Sequence, residues 1–225
     1  MDLVRSIKKL KSPELIVCVD QEGGPVQRFR RGFYKLPSFN ELGKIYDRSK
    51  EEGLRASYLA AQINALELMD VGIDFSFSPV IDIDHGLSDI IGDRSFHSIP
   101  EIVTELSDSY INGLKSIGMK AVVKHFPGHG NTSTDSHTRL PVIPGNRRDF
   151  SKIELPPFKS SIKNGVKMVM TAHVIIPGID RSKKPATLSS VITSGLLRKK
   201  LKFDGLIITD AMEMGALNNI KSSEA

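Results

Sequence analysis

One cysteine, Cys18, stands in 225 residues, so no disulfide can form within the chain. Set inside the apolar run Leu15–Val19, it reads as a buried strand residue rather than a nucleophile. Nowhere does the chain approach the roughly 18 uninterrupted apolar residues that a membrane-spanning helix requires. The opening segment Met1–Lys11 spaces Leu3, Ile7 and Leu10 for a helical face, and it lacks the continuous apolar core and small-residue cleavage site of a secretion leader. A soluble protein of the reducing cytoplasm is the expectation. Concentrated charge is missing as well. The net charge is +5, but Lys and Arg are spread along the chain with only brief clusters such as Arg198-Lys199-Lys200, which argues for solvated surface and against a nucleic-acid face. Such an excess still favours an anionic small substrate near a cleft. No low-complexity linker interrupts the chain, and residues 1–225 read as one domain.

What is present is an alternation. Hydrophobic residues make up 40% of the chain, enough for a substantial core, and short Val/Ile-rich runs alternate with amphipathic stretches of helical period. That is the pattern of repeated βα units around a parallel sheet. Strands are expected at Leu15–Val19, Ile73–Phe77, Ala121–Lys124, Val166–Thr171 and Gly205–Thr209, with helices near Leu54–Val71, Ile102–Ile117, Ile153–Asn164 and Ser189–Lys199. The chemically capable residues recur just after the strands: Asp20 and Glu22, Asp82 to Arg94, Lys124 to His137, His173, and Asp210. In parallel α/β folds the carboxyl ends of the strands share one side, so one pocket would collect these groups.

Asp20-Gln21-Glu22-Gly23-Gly24 puts carboxylates beside a glycine turn, with Arg28 close enough in sequence to reach the same cavity; for Glu22 a solvated turn acid is the competing reading. Arg94, after a long loop, offers planar donors for hydroxyl pairs or carboxylates. Asp82-Ile83-Asp84-His85 reads as a loop edge with local hydrogen bonds. Residues 124–137, Lys-His-Phe-Pro-Gly-His-Gly-Asn-Thr-Ser-Thr-Asp-Ser-His, pack Lys124, His125, His129, Asp135 and His137 into one excursion. A metal site is conceivable there, but Pro127, Gly128 and Gly130 oppose the helix that would align His125 with His129, and no His-Glu-x-x-His arrangement exists. A sharper reading makes Asp135 and His137 a dyad, the carboxylate fixing the ring tautomer so that the other nitrogen transfers protons. Asp210, at the end of an apolar strand, suits a carboxylate on the pocket floor as well as a helix N-cap.

Taken together, Asp20-Gln-Glu-Gly-Gly, Lys124-His125-Phe-Pro-Gly-His-Gly-(x)4-Asp135-Ser-His137 and Ile-Thr-Asp210-Ala-Met-Glu-Met resemble glycoside hydrolase family 3, and within it the bacterial β-N-acetylhexosaminidases that act on cell-wall muropeptides. The resemblance runs from Ile16 to about Leu217. It implies a TIM-type (β/α)8 barrel and a retaining hydrolysis of terminal β-linked N-acetylglucosamine through a covalent glycosyl-enzyme. Asp210 falls at the nucleophile position and His137 at that of the proton donor, oriented by Asp135. Asp20, Arg28, Arg94, Lys124 and His125 fall at sugar-binding positions. No cofactor and no metal are implied, and the partner is a small glycoside. The Phe126–Gly130 loop is expected to swing and deliver His137. Against the family's eight βα units and roughly 250 residues, only five or six units are legible. The chain is therefore expected to be truncated at both ends, with a second chain or fragment as a possible source of the absent strands. Phosphorolysis, and an inactive remnant or sugar-binding module, are the competing functions.

Overall fold

The computed structural model describes residues 2–218. Its elements run α1 (Asp2–Lys8), β1 (Cys18–Val19), β2 (Gln21–Gly23), β3 (Val26–Gln27), α2 (Phe39–Arg48), α3 (Lys50–Asp70), β4 (Phe75–Ser76), α4 (Pro100–Ile117), β5 (Val122–Phe126), α5 (Arg147–Lys152), α6 (Leu155–Lys163), β6 (Met168–Thr171) and β7 (Leu206–Thr209), with a π-type helix over Val191–Lys200 before β7. Local sequence accounts for several boundaries. Ser38 and Glu41 form a reciprocal capping box at the start of α2, Ser38 Oγ accepting from the Glu41 N–H at 3.2 Å and the Glu41 carboxylate from the Ser38 N–H at 2.8 Å. Pro100 opens α4, and Gly118 closes it in the left-handed region at φ +90°.

The strands form an arc in chain order. β1 pairs in parallel with β4, and β5, β6 and β7 pair in parallel in that order. The residues following β4 join the two groups, through a parallel bridge of Val80 with Lys124 and an Ile81 N–H donated to the Lys124 carbonyl at 2.8 Å. A small antiparallel hairpin, β2 with β3, rises from the end of β1. Alternation along the strands sorts side chains into two layers. Val123, Val169 and Ile207 pack into the main core against α3, α4 and α6. Val122, Met168 and Met170 form a second, inner cluster with Phe77 and Ile208. That is the architecture of a TIM-type barrel over part of its circumference. Among the described residues β1 and β7 do not pair with each other, so the arc is open, and Leu206 on β7 is 59% exposed.

All five expected strands are present, four of them shortened and the third running on to Phe126. Leu15 and Ile16 stand outside the ladder and are exposed, and Cys18 is half-buried where full burial was expected, because among the described residues β1 is an edge strand with one neighbour. The expectation missed α2, α5 and the β2/β3 hairpin. No helix among the described residues is long and apolar enough to cross a membrane.

Candidate active site

A cavity of about 350 Å³ opens at the carboxyl ends of the strands. Asp20, Arg28, Arg94, Lys124, His125, His137 and Asp210 all line it, drawn from segments up to 190 residues apart, Asp20 to Asp210. Asp135 stands behind His137. The convergence follows from the parallel arc, since each strand delivers its terminal residues to the same rim.

The cationic end is built around a residue whose role the sequence left open. Glu22, 2% exposed, receives Arg94 through Nε and Nη2 at 2.9 Å each and Lys124 Nζ at 2.6 Å. Lys124 also reaches Asp20 at 2.9 Å. Lys124 shares the strand face of Val122 and so points into the arc, where its side chain is almost wholly buried. Burial opposes the charge on Glu22, but Lys124 and the paired Arg94 donors outweigh it and hold the pKa at about 2. The solvated-turn reading of Glu22 is thus overturned. It is an internal counter-ion that orients two of the expected sugar-binding cations.

The Asp82-Ile83-Asp84-His85 segment also corrects its reading as a locally bonded loop edge. Asp82 is buried and makes long-range bonds: its carboxylate accepts His125 Nδ1–H at 2.6 Å and the His129 N–H at 2.8 Å. Burial disfavours its ionisation, yet His125 outweighs that and keeps the carboxyl below the usual aspartate range. Asp82 thereby fixes the His125 ring. His85, two residues beyond Ile83, bonds the buried Glu154 at 2.7 Å behind the same loop.

That loop is not the swinging element expected. Residues 126–130 are all buried, and Gly130 lies so close to the Ile83 carbonyl that a Cβ there would overlap it. The exposed element is the following stretch. His137 Nδ1 and its backbone N–H both donate to Asp135 Oδ1, at 2.7 and 2.8 Å, with the two side chains 65% and 38% exposed. Partial burial opposes the Asp135 charge, but the two His137 donors hold its carboxyl below the ordinary value. With Nδ1 engaged, Nε2 is the ring atom left to exchange protons at the cavity.

Asp210 accepts the Ala211 N–H at 2.8 Å. The helix that Asp210 was read as capping is reduced to a 3-10 turn at Gly215–Leu217. Burial pushes the Asp210 pKa up, but His125, the Ala211 N–H, His173 and Lys124 outweigh it, so the carboxylate is kept ionised. His173 does not line the cavity as expected. It is buried and bonds Thr187 Oγ1 at 2.8 Å and the Ala211 carbonyl at 3.0 Å, bracing the Asp210 turn from below. Among the described residues no three His, Cys, Asp or Glu side chains are grouped to hold a metal ion.

An ionised carboxylate, a tautomer-fixed imidazole and a set of cations and carboxylates around one polar cavity are the parts needed to bind a polyol and exchange a group at one of its carbons. Residues 2–225 match the model of the glycosyl hydrolase family 3 N terminal domain. A β-hexosaminidase of Thioalkalivibrio sulfidiphilus is 44% identical over 213 residues, covering 95% of this chain and 60% of that protein. One of Nitrosomonas eutropha is 43% identical over 221 residues, covering 98% and 63%. Among solved structures, NagZ from Neisseria gonorrhoeae in complex with N-trifluoroacetyl-D-glucosamine superposes with a TM-score of 0.90 at 42% identity, over 94% of this chain and 62% of that one. The chain thus spans about three fifths of the length of these relatives. It belongs to glycoside hydrolase family 3.

Proposed function

We propose that this protein removes terminal β-linked N-acetylglucosamine from glycosides, with retention, through a covalent glycosyl-enzyme. The observation that carries the reading is the presence of Asp210 and His137 on the wall of one cavity that Asp20, Arg28, Arg94 and Lys124 also line. Asp210, ionised and braced at its turn, attacks the anomeric carbon. His137 gives a proton to the departing oxygen and then takes one from the attacking water, with Asp135 stabilising the ring through Nδ1. Arg94 and Lys124, each held by Glu22, donate to sugar hydroxyls, and Asp20 accepts from them. His125, fixed by Asp82, adds a further polar contact near Asp210.

Relatives named β-hexosaminidase support the N-acetylhexosaminide as substrate, and muropeptide fragments of the bacterial cell wall are the glycosides proposed here. The lone cysteine fits a reducing cytoplasm as the site of action. The test is release of the chromophore from an aryl β-N-acetylglucosaminide by the 225-residue chain and by Asp210→Ala. The chain is expected to turn over and the variant to lose at least about a thousandfold, the scale of removing a covalent nucleophile. Undiminished turnover in Asp210→Ala overturns the nucleophile assignment. Running the reaction in phosphate buffer separates hydrolysis, which yields free sugar, from phosphorolysis, which yields sugar 1-phosphate.

A further inference from the structure

We infer that His129 is a positioning residue for the Asp135–His137 dyad, holding the exposed loop against the cavity through a hydrogen bond to Ser136. The dyad's catalytic role rests on the glycosidase reading above; the anchoring itself does not.

Ser136 sits between the two dyad residues yet is only 4% exposed, whereas the flanking side chains of Asp135 and His137 are 38% and 65% exposed. It is the buried foot of an exposed loop. Its Oγ lies 3.0 Å from His129 Nε2. His129 is itself 3% exposed, and its Nδ1 has no hydrogen-bond partner among the described residues. A neutral ring pairs with Ser136 through Nε2 in either tautomer, donating its proton to Oγ or accepting the hydroxyl proton. Burial, reinforced by neighbouring His125, holds the His129 pKa below the ordinary value and so favours that neutral ring.

The ring cannot drift from this position. Its backbone N–H is donated to Asp82, the residue before it is Gly128 in the left-handed region at φ +135°, and the residue after it is Gly130, pressed on the Ile83 carbonyl. A rigid line therefore runs from a buried carboxylate through His129 to the centre of the dyad. The loop is gripped from its other side by the turn that follows Asp210. The Ala216 N–H donates to the Ser136 carbonyl at 3.1 Å and the Gly215 N–H to the His137 carbonyl at 3.0 Å. A Cβ on Gly215 would crowd the His137 and Thr138 carbonyls, so the close approach needs glycine. His129 and Ser136 both line the cavity beside His137. Leucine or phenylalanine at 129 could not hold Ser136.

The test uses the 225-residue chain with Ser136→Ala, His129→Leu and His129→Gln. The glutamine amide nitrogen can stand in for Nε2. Hydrogen exchange at the Gly215 and Ala216 amides reports directly on whether the loop is held. Exchange is expected to quicken about tenfold in Ser136→Ala and His129→Leu, the equivalent of one lost neutral hydrogen bond, and to return to within about twofold in His129→Gln. Hydrolysis should follow the same order, with kcat down about tenfold and KM within about twofold, because the bond places the proton donor and not the sugar. Unchanged amide exchange in folded Ser136→Ala overturns the inference, and so does failure of His129→Gln to restore protection lost in His129→Leu. If His129→Leu does not fold, the serine variant still decides. Altered exchange in a chain without any hydrolytic activity keeps the anchor and rejects the glycosidase reading.

Discussion

Glu22 and Arg94 meet through two parallel hydrogen bonds of 2.9 Å, inside the protein, with Lys124 closing on the same carboxylate at 2.6 Å. Two cations and one anion of this cluster are thereby removed from bulk water, and Asp20 supplies the second negative charge from the cavity side. A planar guanidinium held in this bidentate manner cannot rotate freely, so its remaining donors are aimed before any sugar arrives. The binding end of the cavity is thus built on a residue that need not touch substrate.

Replacing Glu22 with Gln should therefore affect stability and binding together. Breaking a buried ion pair from one side costs about 3–5 kcal/mol, because the two cations are left without their counter-ion. Denaturant unfolding at pH 7 checks this. The pH dependence has a definite sign: the folded pKa of about 2 lies below the ordinary 4.5, so the stabilisation is complete above pH 4.5 and disappears as pH falls toward 2. Glu22→Gln should flatten that part of the acid limb. An acid limb identical to that of the unsubstituted protein would show that Glu22 is not the group responsible.

For His137→Ala the loss should depend on the leaving group. Proton donation matters most when the departing alcohol is a poor leaving group, so alkyl glycosides should slow by about a hundredfold to ten-thousandfold while activated aryl glycosides slow far less. A series of aryl and alkyl β-N-acetylglucosaminides gives the comparison. Equal losses across the series would remove His137 from the acid role.

Two glycines separate the cost of space from the cost of backbone conformation. Gly118, at φ +90°, has nothing within 4 Å of an added Cβ. Alanine there meets only the left-handed penalty, about 1–2 kcal/mol. Gly130 has an ordinary φ but abuts the Ile83 carbonyl. Alanine there must displace the segment that carries His125 and His129, at about 3 kcal/mol or more. Thermal unfolding should rank Gly130→Ala as the more damaging, and only that variant should also lower activity.

The open side of the arc makes a prediction about association. Leu206, at 59% exposure on an edge of β7 that is unpaired among the described residues, adds little to folding where it stands, so Leu206→Lys should change unfolding free energy by less than about 0.5 kcal/mol. A charge on an exposed strand edge opposes edge-to-edge pairing, and light scattering should show less self-association in the variant. Equal scattering at equal concentration would argue that the edge is already protected.

The residues of the sequence determined the βα alternation, because the runs of strand and helical period are local, but they did not determine every buried face: α3 buries Ser57, Ala60, Ala61, Asn64 and Leu68 and leaves Leu59, Leu66 and Met69 exposed. They determined the candidate set too, since Lys124-His125 and Asp210 end apolar runs and Asp135-Ser136-His137 lies in the polar excursion after the first of these. Even α2, which was missed, announces itself in Ser38-x-x-Glu41, a capping signature that depends on local backbone alone. What tertiary structure alone decided is pairing across distance. The role of Glu22 stayed open and Asp82 looked like a locally bonded loop acid because their partners lie 72 and 43 residues away, at Arg94 and His125. His129 looked like part of a swinging loop because glycine and proline signal turns in a sequence, whereas here Gly130 marks where two backbones touch and Gly128 where the Glu154 side chain closes in. Burial and long-range hydrogen bonding depend on which surfaces the parallel arc brings face to face, and no local pattern encodes that.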